Sequence, residues 1–270
     1  MSPKKNLLTT KEMAQFANQG FLRFDELIPR DLCDRLSKDI DSGKIDGRAP
    51  AGTPFNEVWQ GQPIREVFDH PRVCGIIESL VGPNPRYDHH YPHITQKGGK
   101  HQFIHADAEF DPRVGAFDIQ FSFFPQDVTP DMGGTLFVPG SHFHRVHESQ
   151  VGIYQNIVGM QQFSGKAGTI LVWHTNLWHS GRRNDSDNTR YMFKLRLNPM
   201  VKQQLLWNTD DLHDADSLSP LKGHQPWHGQ QHRVFLMNVA RFWQYLSNDP
   251  SFDPEFWWSR IENEPKATAT

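Results

Sequence analysis

A histidine and an aspartate two residues apart, His105-Ala106-Asp107, are the first residues whose types and spacing suggest chemistry. On a strand, residues two apart face the same side, so an imidazole and a carboxylate would project together. A second, distant histidine would complete the facial His/Asp/His set of non-haem Fe(II) enzymes, which leaves coordination positions open for small ligands. The bare pattern arises easily by chance in a chain with 15 histidines, so its weight depends on the third residue. Two histidines compete for that place, His174 and His179, in the segment GTILVWHTNLWHSG. His174 would end one strand and His179 would begin the next after a short turn. Residue type does not separate them.

The elements around these residues follow from periodicity and punctuation. Thr9 or Thr10 caps an amphipathic helix carrying Met13, Phe16 and Ala17 and ended by Gly20. FLRFDEL alternates as a strand. A second helix opens at Pro29 and Asp31 and repeats Leu32, Leu36 and Ile40 at helical spacing. Residues 43–65 contain Gly and Pro and read as a loop or irregular lid, and HPRVCGIIESLVG reads as a third helix stopped by Gly82. From about residue 86 short apolar or alternating runs follow one another between turns: RYDHHYPHI, HQFIHADAEF, AFDIQFSFF, GTLFVPG, NIVGMQQF, GTILVWH and TRYMFKLRL. Such spacing predicts a β-sandwich or barrel. RVFLMNVARFWQYL then predicts a last helix with Phe235, Val239, Phe242 and Leu246 on one side.

The 270 residues suit one large domain: N-terminal helices over about 10–82, a β core over about 86–200, and a C-terminal segment 201–270 packed on it. With 37% apolar and 22% charged residues the composition is that of an ordinary globular protein. The net charge of −3 gives no basis for a nucleic-acid or anionic-membrane partner. No run of about 18 apolar residues is present, so no membrane span is expected. MSPKKNLLTTKEM has no apolar stretch behind its charges and does not read as a secretory signal. Two cysteines, Cys33 and Cys74, make no disulfide framework, and a reducing, cytoplasmic setting is the simplest expectation.

The chain resembles the phytanoyl-CoA dioxygenase family of 2-oxoglutarate oxygenases. The opening helix with GFLRFDELIPRDLCDRLSKDI is similar to that family's opening. The H-x-D is followed by Gly133-Gly134-Thr135 and Pro139-Gly140-Ser141-His142, a turn–strand–turn signature, and then by His179, Asn184, Ser186 and Arg190 in the family's order and spacing. The resemblance spans roughly residues 10 to 200, and four ordered motifs are far more specific than any one. It implies a mainly β fold with flanking helices around a double-stranded β-helix (jelly-roll) core. It implies Fe(II) held by His105, Asp107 and His179 rather than His174, with 2-oxoglutarate and O2 as co-substrates and a small organic molecule as substrate. Arg190 would meet the remote carboxylate of 2-oxoglutarate, since a planar guanidinium donates two parallel bonds to a carboxylate. Thr135 and Gln96 stand where the family places further co-substrate contacts. Ile104 and Ala106 depart from the family's aromatic residue and Gln at those positions, so no relative's substrate carries over.

Plainer readings hold elsewhere. Gly133-Gly134 and Pro139-Gly140 are turn chemistry, and Ser141 with His142 lacks the elbow and acid of a hydrolase triad. His142, His144 and His147 read as solvated or supporting loop residues, and Trp178 reads equally as a pocket wall or a core residue. Along TRYMFKLRL one strand face would carry Arg190, Met192, Lys194 and Arg196, a cationic set at odds with a barrel interior. Two rival functions are a non-catalytic jelly-roll binding protein, which predicts damaged ligands, and a Zn hydrolase on the same His/Asp/His set, which leaves Arg190 without a role.

Overall fold

A computed structural model describes residues 2–45, 48–111, 116–144, 156–226 and 229–253. His147 lies outside the described residues, as does the chain beyond 253.

Helix α1 (Thr10–Gln19) starts in a capping box: the Thr9 hydroxyl accepts from the Glu12 amide, and the Glu12 carboxylate accepts from the Thr9 amide. It ends where Gly20 turns left-handed at φ 80°. Strand β1 (Phe21–Phe24) follows directly, so the helix end fixes where the first strand enters the sheet. Helix α2 (Arg30–Asp41) buries Leu32, Cys33, Leu36 and Ile40. At the end of the expected loop and beyond it the chain forms another helix, α3 (Pro63–Asp69), and α4 (Pro71–Val81) follows at once. Both open with proline at the first helical position, where its missing N–H costs nothing.

The remaining strands are β2 (Arg86–Thr95), β3 (Ile119–Phe124), β4 (Thr135–Phe137), β5 (Gln161–Gln162), β6 (Thr169–His174), β7 (His179–Gly181) and β8 (Arg190–Asn198). They form two antiparallel sheets, a five-stranded one in the order β1-β6-β3-β8-β2 and a three-stranded one in the order β5-β4-β7. The mainly β fold with flanking helices is thus the observed one. HQFIHADAEF departs from the expected strand: only His105 pairs there, in a single bridge to His179.

Alternation on the large sheet sorts the residues. Ile119, Phe121 and Phe123 of β3, Ile170 and Val172 of β6, and Phe193, Leu195 and Leu197 of β8 share one apolar cluster with the helices. Helix α5 (Gly229–Ser247) joins that cluster through Phe235, Val239, Phe242, Trp243 and Leu246. The opposite face of the same strands carries Leu171 and Trp173, which cluster with Phe137 of the small sheet. Between the sheets, therefore, the period-2 pattern delivers Gln120, Ser122, Met192, Lys194 and Arg196 alongside that second cluster.

His142 and His174 are fully buried on the helix side, which rules out the solvated alternative for His142. His142 Nε2 donates to the Ala17 carbonyl at 3.2 Å, and its ring lies 5.5 Å from that of His174. Burial pushes the His142 pKa down to about 3 and that of His174 well below its usual value. Both are neutral when folded, whereas in the unfolded chain they take up a proton below about pH 6.5. Stability is therefore unaffected by these groups above that pH and falls as pH drops below it, by about 1.4 kcal/mol per pH unit for each histidine. Urea unfolding at pH 7.5 and pH 5 checks this: wild type loses stability, and His142→Gln loses less between the two pH values. Equal losses in both proteins would remove His142 as a cause.

Candidate active site

The site is built where the chain passes from one sheet to the other. β6 ends at His174 in the large sheet, and β7 begins at His179 in the small one. His174 turns that corner: its Nδ1 accepts from the Asn176 amide at 3.0 Å, and its ring stacks on Phe117 at 4.9 Å on the helix side. His179 emerges on the other side of the crossing, paired in register with Phe137 of β4. On its free edge it bridges His105, with His105 N–H donating to His179 O at 3.0 Å and the reverse bond at 2.9 Å. The Asp107 amide donates to Thr175 O at 3.0 Å, tying the H-x-D segment to the corner.

This backbone framework brings His105, Asp107 and His179 together, with one donor atom from each within 4.8 Å of the others. His174 is not part of the cluster. The imidazole orientations suit a cation. His105 Nδ1 bonds the Phe103 carbonyl at 2.8 Å and His179 Nδ1 bonds the Leu177 carbonyl at 2.9 Å. A carbonyl only accepts, so each Nδ1 carries a proton, and in the neutral ring it is Nε2 that offers a lone pair to a metal. Those Nε2 atoms lie 3.8 Å and 3.2 Å from the Asp107 carboxylate, and His179 Nε2 is buried with no aligned hydrogen bond. Burial lowers the pKa of His105, with His179 adding to the effect. Burial opposes ionisation of Asp107, but His179 and Lys194 beside it outweigh that and hold its pKa well below the carboxylate range. Two neutral imidazole nitrogens and one carboxylate are the donor set of a facial metal site.

One member of the cluster, His179, lines a cavity of about 150 Å³, together with His93, Thr95, Lys100, Thr135, Trp173, Arg190, Met192 and Lys194 among others. Arg190 is 8% exposed and makes no ion pair among the described residues. One terminal nitrogen donates to the carbonyls of Met132 (2.6 Å) and Arg182 (3.1 Å), and the other to Thr95 Oγ1 (3.3 Å). Burial alone lowers its pKa. A buried guanidinium held by carbonyls, with donors left over and no counter-ion, is a site for an anion. Gly133 makes room for it: a Cβ there would lie 2.8 Å from the Arg190 nitrogen and 2.2 Å from the Arg183 carbonyl, and its φ is 91°.

Other expected residues fall into different places. Thr135 is buried, lines the cavity beside Arg190, and directs its hydroxyl to Met192 Sδ at 3.7 Å. Gln96 lies one residue past the end of β2, exposed and outside the cavity lining, and Thr95 occupies the wall instead. This corrects the expectation of a Gln96 contact: alternation turns residue 95 inward and 96 outward. Asn184 and Ser186 brace a loop. Asn184 Nδ2 donates to the carbonyls of Thr95 and Asn188, and the Ser186 hydroxyl donates to Asn184 Oδ1, which ties the approach to β8 against β2. Trp178 does not line the cavity, whereas Trp173 does.

The cationic face of β8 has a direct account. Lys194 Nζ sits 2.9 Å from Asp107 Oδ2, and Gln120 Nε2 donates to the same oxygen at 2.9 Å. Arg196 pairs with Asp118 at 2.5 Å, at the edge of the site. Each interior cation except Arg190 has a carboxylate. Sequence reasoning missed His93, Lys194 and Gln120. Lys194 alone left a signal, as a charge at an inward strand position.

Comparison with solved structures finds the same fold at low sequence identity. SnoK, a non-heme alpha ketoglutarate dependent carbocyclase from nogalamycin biosynthesis, matches with a TM-score of 0.57 and 17% identity over 74% of this chain and 87% of its own. HygX from Streptomyces hygroscopicus, solved with nickel and 2-oxoglutarate bound, matches with a TM-score of 0.57 and 15% identity, over 77% of this chain and 95% of its own. EctD from S. alaskensis, solved with 2-oxoglutarate and 5-hydroxyectoine, matches with a TM-score of 0.56 and 18% identity, over 71% and 76%. No individually curated protein matches in sequence. The sequence profile of the phytanoyl-CoA dioxygenase (PhyH) family, however, matches residues 16–192, a span that holds the whole His/Asp/His cluster and Arg190, and the chain belongs to that family.

Proposed function

We propose that the chain is an Fe(II)- and 2-oxoglutarate-dependent oxygenase that hydroxylates a C–H bond of a small organic molecule, and that α5 belongs to the same oxygenase unit. One observation carries this reading: three metal-donor side chains converge, and one of them, His179, lines the same small cavity as a buried arginine that makes no ion pair among the described residues. His105, Asp107 and His179 would hold the iron, which when bound supplies the electrons that activate O2. Arg190 would bind the remote carboxylate of 2-oxoglutarate, with Thr135 beside it. Trp173 and Met192 add apolar surface to the cavity lining. One oxygen atom of O2 would leave in succinate, with CO2 released, and the other in the hydroxylated product. A Zn hydrolase on the same three residues would have no use for Arg190.

Succinate release tests the reading. Protein reconstituted anaerobically with Fe(II) and 2-oxoglutarate, then exposed to O2 and a panel of small molecules, is expected to release succinate above its uncoupled background with at least one of them. Release independent of iron, or of O2, would overturn it.

The outcome is expected to be oxidation rather than halogenation. Relatives that halogenate carry Gly or Ala in place of the carboxylate ligand, which leaves a position for halide. Here that position is Asp107, whose negative charge also opposes an adjacent anion. Reactions run in high chloride or bromide, read by mass spectrometry, are expected to give no halogenated product. A halogenated product from the unaltered enzyme would remove Asp107 from the ligand set.

A further inference from the structure

Lys194 has no part in the reaction as proposed, yet it lies inside the cavity. Its side chain is 12% exposed, its Nζ is 2.9 Å from Asp107 Oδ2, and it sits 5.9 Å from the centre of the Trp173 ring. An ammonium has three N–H groups. One is used by Asp107, and the other two have no acceptor among the described residues. Nearby, His93 Nε2 lines the same space, buried and without a partner. Four residues along the same strand face stands Arg190, so β8 presents two cations to one cavity. Asp107 is the one carboxylate among the described residues that reaches either of them.

The charges then decide what Lys194 can do. In the protein alone, Asp107 neutralises Lys194 and Arg190 is left over. A divalent metal drawn to Asp107 would compete with Lys194 for that carboxylate. Adding the metal (+2) and a dianionic co-substrate (−2) to Arg190, Lys194 and Asp107 leaves these buried groups with a net charge of about +1, carried by Lys194, and the exposed Lys100 of the lining adds a further positive charge.

We propose that Lys194 is a second anion-binding position of the cavity, held in place by Asp107 and taking a carboxylate of the bound ligand, while weakening the hold of Asp107 on a metal. This rests on the functional reading above for the identity of the ligand, but not for the existence of the anion position. The carboxylate has two possible sources, the metal-side end of the 2-oxo acid or an acid group on the primary substrate.

The test begins without metal, using glutarate, a diacid that lacks the keto group. Asp107→Asn removes the competing charge and is expected to bind glutarate roughly ten- to a hundredfold more tightly than wild type, the usual worth of a hydrogen bond to a charged group. The gain is expected to vanish in Asp107→Asn/Lys194→Met and to persist in Asp107→Asn/Lys194→Arg. A second arm measures Ni(II) affinity by calorimetry: Lys194→Met is expected to bind the metal more tightly than wild type, because a neighbouring cation is gone. A lysine that served packing alone would give weaker metal binding. The third arm uses nickel-loaded protein and separates the sources. If Lys194 meets the 2-oxo acid, Lys194→Met loses 2-oxoglutarate affinity about tenfold or more. If it meets the substrate's acid, 2-oxoglutarate affinity holds and succinate binding to the nickel–2-oxoglutarate protein is lost. No gain in Asp107→Asn, or weaker nickel binding in Lys194→Met, would overturn the proposal. Failure of iron-dependent turnover would instead count against the oxygenase reading and leave the metal-free arm standing.

Discussion

Alanine at His105, Asp107 or His179 is expected to abolish turnover and to cut divalent-metal affinity beyond the about 10–100-fold typical of losing a mere supporting partner. The expectation follows from the paired backbone of residues 105 and 179, which fixes both rings, and from the one carbonyl that holds each Nδ1 as donor. Each substitution removes one of three donor atoms, and the other two cannot converge further, because the His105 segment and β7 are tied by the same bridge. His174→Ala makes the opposite comparison. Its ring packs against Phe117 and Phe242 on the helix side, so its loss opens a cavity costing about 2–5 kcal/mol of stability. Metal binding is expected to persist. Metal content after dialysis, measured with thermal unfolding on the same samples, separates the two effects. A His174→Ala protein that folds but loses metal, beside a His179→Ala protein that keeps it, would reverse the assignment.

Arg190→Ala gives the second large effect. In the folded chain the guanidinium is buried, held by the carbonyls of Met132 and Arg182, and unpaired with any acid among the described residues. A carboxylate arriving there is desolvated, and removing its one fixed cation costs roughly 2–5 kcal/mol of binding. Saturation with 2-oxoglutarate is therefore expected to require at least thirtyfold more co-substrate, in proportion to that loss. Metal affinity is expected to change little, because Arg190 touches none of the three donor side chains. Arg190→Lys is expected to recover only part, since a point charge cannot replace a planar fork. An unchanged 2-oxoglutarate requirement in Arg190→Ala would take Arg190 out of the site. Because its guanidinium also braces two loops, the folded fraction of each variant must be measured alongside.

How much of this was legible in the residues differs element by element. Helix α1 announces itself by its capping box, period and terminal Gly20, α2 by its period, and α4 by its apolar run and terminal Gly82, and the strands β3, β6 and β8 by short apolar or alternating runs. Helix α3 was hidden because Gly61 and Pro63 suggest a loop, although proline is at home in a first turn. HQFIHADAEF has a strand's texture but finds a partner only at His105, since pairing depends on an edge elsewhere in the chain. In the site, residue type and spacing located His105 and Asp107, but only ordered motifs separated His179 from His174. Gln96 went astray by one residue, and a one-residue step exchanges the two faces of a strand. Lys194 looked like an error in the pattern. Its reason, an aspartate 87 positions earlier in the chain, lies in a contact that local reading does not contain. The same holds for His93 and Gln120, which are unremarkable strand residues until the two sheets close over them.

In the proposed function, iron at His105, Asp107 and His179 and 2-oxoglutarate at Arg190 share one small site. Anaerobic optical titration tests it most directly. Chelation of Fe(II) by a 2-oxo acid produces a visible metal-to-ligand charge-transfer band that neither component shows alone. Adding 2-oxoglutarate to Fe(II)-loaded wild type is expected to produce that band at a one-to-one ratio of ligand to protein, with none in Zn(II)-loaded protein, none in His179→Ala, and a right-shifted titration in Arg190→Ala. A wild-type protein that binds Fe(II) but gives no band on saturating 2-oxoglutarate, or a band that survives unchanged in His179→Ala, would contradict the account.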